Sequence, residues 1–290
     1  MNRTRLFGLL AVFSTSVFWG LSFVSIKITV AVIPPMTLAL LRFILASAVL
    51  AILLKTTEPH SRLLKQDIPL MAVSGLLGVT AYYYFQNTGV KLTTVATASM
   101  VLASIPILTV LGELLVYKAK LSWAKAVSVV LSILGVYLIV VTPEETSPEG
   151  ILGSLFMLGA AVSWVAYTFV TRPLTARYSQ LAVVTYQTLF GTAALVPFTF
   201  FEAFAWQSID FPILLHLLYL GLFCSALANV FYVYAMGVLG ISSVALFINL
   251  IPVISVLGGY VILQESVSSL QILGGAIILL SVYITNRKSG

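Results

Sequence analysis

Charge and cysteine are both scarce in this chain. Only 8% of its 290 residues are Asp, Glu, Lys or Arg, whereas soluble domains carry roughly 25%. Because 60% of the residues are hydrophobic, lipid rather than water has to cover most of the surface, and the composition predicts a polytopic membrane protein. The single cysteine, Cys224, cannot form an internal disulfide, and its apolar neighbours predict a buried, unreactive thiol.

Motifs for metal, nucleotide and nucleic-acid chemistry are also lacking. The two histidines, His60 and His216, belong to no metal-ligand cluster, and the sequence has no Gly-rich phosphate loop and no ATP-binding motif. The net charge of +6 comes from basic residues at the ends of apolar runs, where such residues orient helices. We therefore expect no enzyme, no metal, no cofactor and no nucleic-acid partner. A channel and a purely structural membrane protein stay open as alternatives.

Apolar runs of about 20 residues, the length that crosses a bilayer core, recur along the chain. They predict ten transmembrane helices, at residues 7–27, 34–54, 68–90, 94–117, 122–141, 150–170, 180–202, 212–236, 240–263 and 270–286. All but three of the 15 Lys and Arg residues fall on the face that this plan gives to both termini, and the exceptions are Lys27, Arg42 and Lys91. Since cytoplasmic loops carry the excess of Lys and Arg, both termini are predicted to be cytoplasmic, in an inner or plasma membrane.

Two halves of similar sequence flank the acidic segment TPEETSPEG (142–150). IPILTVLG (105–112) recurs as IPVISVLG (251–258), and Trp19 and Lys27 recur 145 positions later as Trp164 and Arg172. Because each half has five spans, the second starts from the opposite face, and the halves form inverted repeats. We predict a first five-helix repeat at residues 1–141, an extracytoplasmic linker at 142–149 and a second five-helix repeat at 150–290. The fold class is all-α, and this architecture is typical of alternating access around a midplane site.

Several segments resemble a single family. They are FWGLSFVSIK (18–27), LRF (41–43), IPILTVLG with its copy, and VILQES (261–266). Over residues 8–285 the chain is similar to the EamA-like members of the drug/metabolite transporter superfamily. The resemblance implies a secondary transporter, with export of neutral or aromatic amino acids as the leading function and other amphipathic metabolites or drugs behind it. It also implies an arginine at position 42 and an acidic twin of Glu265 near position 119, where this chain has Ala119.

Aromatic and amide side chains near the middle of the predicted helices are the candidates for substrate binding. Three- and four-residue spacings place Tyr82, Tyr83 and Gln86 on one face of helix 3. A lipid-facing asparagine at mid-span is costly, so Asn229 and Asn249 are expected to face a cavity. The predicted substrate-binding set is Trp19, Tyr82, Tyr83, Gln86, Met100, Trp164, Asn229, Tyr232 and Asn249. Hydrogen bonding of the tyrosines between helices, without substrate contact, is the alternative.

A second set of candidates has gating or structural roles: Lys27, Arg42, Pro106, Glu113, Arg172 and Pro252. Counting 1.5 Å per residue puts Arg42 roughly 12 Å deep in helix 2, where a charge is costly. Hydrogen bonding to helix ends and contact with cargo or a gate both remain possible for Arg42. The repeated prolines Pro106 and Pro252 are predicted to kink helices 4 and 9 as hinges.

Glu113 is the one carboxylate predicted to lie well within a membrane span, roughly 28 Å from the outer face. That depth argues against a salt bridge with Arg42, and Lys118 or Lys120 is the expected partner. A carboxylate so near the cytoplasmic end is poorly placed to exchange protons with both sides. The sequence therefore favours facilitated over proton-coupled transport of a small molecule across the lipid bilayer, by a chain that can act as a monomer.

Overall fold

The chain is helical along nearly its whole length. The computed structural model describes residues 3–118, 122–142, 145–240, 244 and 247–287, and no strand occurs among them. The helices are α1 (Arg3–Val30), α2 (Pro35–Thr57), α3 (Lys65–Leu92), α4a (Val95–Leu102), α4b (Ile105–Tyr117), α5 (Trp123–Val140), α6 (Pro148–Thr175), α7 (Gln180–Thr199), α8 (Phe211–Leu239), α9 (Ile251–Ile262) and α10 (Ser269–Arg287). With α4a and α4b counted as one span, these helices confirm the predicted ten-helix fold.

Polar residues set the ends of several helices. Side chains of Ser147, Ser179 and Asp210 accept hydrogen bonds from backbone N–H groups in the first turns of α6, α7 and α8, at 2.9–3.0 Å. Among the described residues, seven helices are long and apolar enough to cross a membrane, and α5, α9 and α10 hold shorter apolar segments. The chain is an integral membrane protein.

The two five-helix halves repeat each other's packing. α1 packs on α8 as α6 packs on α3, while α2 lies against α7 and α5 against α10. In the last pair, a Cβ at Gly135 would lie 2.8 Å from the Gly274 carbonyl oxygen, and a Cβ at Gly274 would lie 2.6 Å from that of Gly135. Only glycine permits so close an approach of two backbones. The pairing is unchanged when the halves are exchanged, as two inverted repeats require.

Helices 4 and 9 are broken at repeat-related points. Residues 103–104 form a turn between α4a and α4b, and residues 249–250, 146 positions on, form a turn before α9. Pro106 and Pro252 lie in the first turn of the helix that follows. In that turn proline removes no intrahelical hydrogen bond, and its fixed φ favours the helix start. The predicted kink inside a continuous helix is therefore wrong, because each proline belongs to the beginning of a half-helix.

A wide helical turn interrupts both α3 and α8. Residues Leu76–Ala81 and Tyr219–Leu227 form π-helical turns, which the sequence did not predict. A glycine at each turn allows close approach to the other repeat. A Cβ at Gly75 would lie 2.5 Å from the Gln187 carbonyl oxygen, and one at Gly221 would lie 3.1 Å from that of Arg42. The π-helical turns of α3 and α8 therefore pack directly against α7 and α2. Turns of this type are frequently found at functional sites.

Candidate substrate site

A cavity of about 250 Å³ lies at the level of the two helix breaks, and both repeats line it. Ala103, Pro106, Asn249 and Pro252 contribute to its wall around the breaks. Discontinuous helices of inverted repeats commonly surround the substrate site of a secondary transporter. Seven of the nine residues predicted to bind substrate line the cavity: Trp19, Tyr82, Tyr83, Gln86, Trp164, Asn229 and Asn249.

Four aromatic rings form a continuous wall of the cavity across the two repeats. The ring centroids are 4.9 Å apart for Tyr83 and Tyr82, 5.0 Å for Tyr82 and Trp164, and 5.1 Å for Trp164 and Tyr167. Tyr167 was not among the predicted residues, although its position three residues after Trp164 on one helix was an available signal. The wall offers a flat, apolar surface on which an amphipathic solute can stack.

Backbone carbonyl groups of α8 hold two polar side chains on the cavity wall. The Trp19 indole N–H donates to the carbonyl oxygen of Cys224 at 2.9 Å, and Cys224 belongs to the π-helical turn. The Asn229 side-chain N–H donates to the carbonyl oxygen of Ser225 at 2.8 Å. The Cys224 side chain is itself buried, as its apolar neighbours predicted.

Met100 and Tyr232, which belong to the predicted set, are not among the residues that line the cavity. Ser99, Leu102 and Ala103 face the cavity, so the rotation of α4a turns Met100 away, into a cluster with buried residues of α5 and α10. Tyr232 lies against Trp19, with the two ring centroids 5.5 Å apart. Tyr232 can therefore act on the cavity through the position of Trp19.

Among the described residues that line the cavity, only Arg42 has a fully charged side chain. It is 2% exposed, and its Nε donates to the Ser225 hydroxyl at 3.0 Å. The guanidinium carbon lies 4.6 Å from the centre of the Tyr83 ring, within the range of a cation–π contact. Arg42 thus joins α2 to α3 and α8 while it faces the cavity.

Gln187 occupies the position of the second repeat that corresponds to Arg42, and it also lines the cavity. Its side-chain N–H groups donate to the hydroxyls of Ser74 and Thr171 at 2.9 and 2.8 Å, and its side-chain oxygen accepts from the Tyr167 hydroxyl at 3.0 Å. The second repeat therefore has a neutral, fully hydrogen-bonded amide where the first has a charged guanidinium.

The bundle has two different ends. We name them the linker end, which carries Glu145 and Thr146, and the termini end, where α1 begins and α10 finishes. At the linker end the Lys27 ammonium donates to three carbonyl oxygens around the end of α3, those of residues 90, 91 and 93, at 2.6–3.2 Å. Lys27 therefore caps the last turn of α3. Arg172, its counterpart in the second repeat, has an exposed side chain in the last turn of α6.

Two glutamates meet the N-terminus of α4a at the linker end. Glu145, 1% exposed, accepts hydrogen bonds from the Thr93 hydroxyl and from both the N–H and the hydroxyl of Thr94. Glu265 accepts from the Val95 N–H at 2.9 Å. Unpaired N–H groups and the helix dipole favour negative charge there. Burial nevertheless raises the pKa of the Glu265 carboxyl above its ordinary value, against the opposing effects of the Val95 N–H and the Lys27 charge.

Glu113 lies near the termini end and pairs with Lys125, whose Nζ is 3.3 Å from Oε2 of the carboxylate. Glu113 therefore pairs with a lysine, as predicted, but that lysine is Lys125 and not Lys118. α4b ends before Lys118, where a φ of 50° redirects the chain, and the return along α5 brings Lys125 to Glu113. Lys120 and Ala119 lie outside the described residues. The Glu113 side chain is 40% exposed, unlike that of Glu145.

Comparison with known proteins agrees with this architecture. The model of the EamA-like transporter family matches twice, at residues 6–141 and 151–287. An uncharacterized transporter of Archaeoglobus fulgidus is 30% identical over 94% of this chain and 95% of its own length. A protein of Streptantibioticus cattleyicolor named "Probable terminal-alkyne amino-acid exporter" is 29% identical over 95% of this chain and 92% of its own.

A solved crystal structure shares the fold with a TM-score of 0.67 and 22% identity, over 98% of this chain and 96% of that one. The two family matches cover almost all of the residues that form the ten helices, and they divide at the acidic linker. The chain belongs to the EamA-like transporter family, of the drug/metabolite transporter type, with two EamA repeats.

Proposed function

We propose that this transporter exports a small amphipathic metabolite, with neutral or aromatic amino acids as the leading class, by alternating access between its inverted repeats. The cavity carries the proposal, because it lies at both helix breaks and combines an aromatic wall with a few amide groups and one arginine. Such a lining gives a flat apolar group a surface to stack on and gives its polar end few, specific contacts. The S. cattleyicolor relative, whose name is "Probable terminal-alkyne amino-acid exporter", supports the same substrate class.

Substrate counterflow in liposomes, across a panel of amino acids, tests this function. We expect saturable exchange that needs no ATP. Trp19→Ala, Tyr82→Ala and Asn229→Ala should impair exchange more than folding, whereas Tyr137→Ala, which alters a ring 61% exposed on α5, serves as the matched control. Normal exchange by all three variants at normal insertion would show that the cavity is not the site. Ohmic ion conductance would favour a channel instead.

We also propose that the termini end faces the cytoplasm of a cell with this protein in its inner or plasma membrane. The distribution of Lys and Arg supports this orientation. In a Cys224→Ala background, an impermeant thiol reagent added outside should label Thr146→Cys and not Ser61→Cys. The reverse pattern would overturn the orientation. Both repeats belong to one chain, so a monomer in the bilayer suffices for transport of the solute.

Proton-coupled antiport is the second candidate, and one observation favours it. Glu145 and Glu265 both lie where the Lys27 charge attracts them, and Glu265 is partly desolvated. A carboxylate with a raised pKa near a gate can exchange a proton as the gate opens and closes.

A further inference from the structure

Two polar atoms on the cavity wall have no partner among the described residues. Arg42 and Gln86 are 2% and 5% exposed, yet Nη1 of Arg42 and Oε1 of Gln86 form no hydrogen bond. A buried polar atom without a partner is costly, more so on a charged group. Both side chains line the cavity, so a molecule bound there can supply what these atoms lack.

The guanidinium of Arg42 is already oriented by the protein. Its Nε is held by the Ser225 hydroxyl at 3.0 Å, and its plane lies by the Tyr83 ring. Nη1 remains for an acceptor from outside the chain. The rigid, planar donor fork of arginine matches the geometry of a carboxylate better than any other side chain does.

The charge of Arg42 is not balanced within the cavity. The described residues of the lining include no carboxylate, and neither ion pair found in the described part of the chain includes Arg42. Gln187 occupies the same position in α7 of the second repeat as Arg42 does in α2. This neutral side chain makes all of its hydrogen bonds within the protein. Helix packing therefore does not account for the charge at position 42, whereas an anionic ligand group does.

Gln86 lies close to the same corner of the cavity. It follows Tyr83 by three residues in α3, so the two side chains are neighbours on one helix face, and Arg42 lies over the Tyr83 ring. The side-chain oxygen of Gln86 accepts hydrogen bonds and cannot donate them. This corner therefore offers a charged donor and a neutral acceptor beside an aromatic wall.

We propose that Arg42 binds the free carboxylate of the substrate, that Gln86 accepts a hydrogen bond from its α-ammonium group, and that the aromatic wall holds its side chain. An α-amino acid carries the carboxylate and the ammonium on one carbon atom, which suits two groups that share a corner. This proposal rests on the proposed function and narrows its substrate to amino acids with both groups unblocked.

Competition of unlabelled compounds against amino-acid counterflow in liposomes tests the proposal. The probes are tryptophan, tryptophanamide, which lacks the carboxylate, and indole-3-propionate, which lacks the ammonium. Because hydrogen bonds to charged groups are the stronger ones, we expect tryptophan to bind about ten- to a hundredfold more tightly than tryptophanamide. In Arg42→Gln this ratio should fall to within about twofold, with affinity for the amide retained. In Gln86→Leu the preference for tryptophan over indole-3-propionate should fall instead.

Arg62→Gln is the matched control, because it makes the same substitution at an exposed arginine between α2 and α3 that does not line the cavity, and it should keep the ratio of tryptophan to tryptophanamide. If Arg42→Gln does not insert, Arg42→Lys keeps the charge without the fork and should give an intermediate ratio. Equal affinity of the wild-type protein for tryptophan and tryptophanamide would overturn the carboxylate site and leave amphipathic export standing. An undiminished ratio in Arg42→Gln would also overturn it. No counterflow with any amino acid would reject the proposed function itself.

Discussion

The linker end and the termini end are built from the same helix arrangement, yet they bury charge very differently. At the linker end Glu145 is 1% exposed and accepts three hydrogen bonds at the start of α4a. At the termini end the side chain of Glu113 is 40% exposed and pairs with Lys125. The helix arrangement is thus repeated at the two ends, while the burial and the partners of their glutamates differ.

One pair of repeat-related residues shows the difference directly. Thr94 precedes α4a and donates both its N–H and its hydroxyl to Glu145. Gly240, 146 positions later, ends α8 with a φ of 80°, and a Cβ built there would meet no described atom within 4 Å. Hydrogen bonds therefore hold Thr94, whereas no described atom packs where a side chain of Gly240 would lie. We therefore expect this conformation to be closed at the linker end, and its opening to require α4a to leave Glu145 and Glu265.

The largest expected effect is on stability. Glu145→Ala leaves the Thr94 N–H and two hydroxyls without their acceptor and removes a counter-charge of Lys27, so we expect a loss of about 3 kcal/mol in unfolding free energy. Glu113→Ala breaks a partly exposed ion pair and should cost less than about 1 kcal/mol. Denaturation of the purified variants in one detergent measures both. Equal losses would show that the two ends do not differ energetically.

Access to the cavity should change next most. Lys27→Met removes the cap from the last turn of α3 and a positive charge near two glutamates, so opening at the linker end should become easier. In a Cys224→Ala background, a Ser22→Cys side chain in the cavity should react several-fold faster with an impermeant thiol reagent added at the linker end. Lys125→Met at the opposite end is the control. A rate that Lys27→Met leaves unchanged would contradict the role of Lys27 in closure.

The repeated breaks should matter less, and about equally. Pro106→Ala or Pro252→Ala restores an N–H group, so that the helix can continue through the break, and we expect exchange to fall about two- to fivefold with little change in stability. Pro35→Ala, at the start of the unbroken α2, is the matched control. Strong loss in only one of the two variants would show that a single break carries the movement.

The spans and the cavity-facing aromatic residues were predictable because they depend on local patterns. Hydropathy and length locate a helix, and three- or four-residue spacing locates its polar face, as for Tyr82 and Gln86. The breaks were missed because Pro106 and Pro252 were interpreted as interior kinks, although proline in a first turn is an equally local signal. The contacts of Glu145 and Glu265 could not be predicted. Their partners are 51 to 170 positions away in the sequence, and only the packed bundle brings them together.

The smallest expected effect concerns Glu265 and pH. Burial raises the pKa of this carboxyl above its ordinary value in the closed linker end, and water returns the pKa toward 4.5 when that end opens. The closed state therefore binds the proton more tightly. As the pH falls from above the raised pKa toward 4.5, protonation of Glu265 stabilises the closed state. That stabilisation is lost again as the pH rises above the raised pKa. We expect acid to slow exchange about twofold in the wild-type protein and to have no such effect in Glu265→Gln, whose amide does not titrate.

The variants Glu113→Gln and Glu265→Gln together decide between facilitated and proton-coupled transport. Facilitated transport predicts that an imposed pH gradient produces no accumulation of substrate in liposomes, with wild type, Glu113→Gln or Glu265→Gln. Accumulation that disappears only in Glu265→Gln would reject the facilitated mechanism and identify Glu265 as the coupling group, because its carboxylate gains water when α4a leaves it. Accumulation that disappears only in Glu113→Gln would place coupling at the termini end, against the ion pair with Lys125. In either case the two ends differ in function as well as in burial. The end that couples transport to protons is the one whose Glu→Gln variant no longer accumulates substrate under the pH gradient.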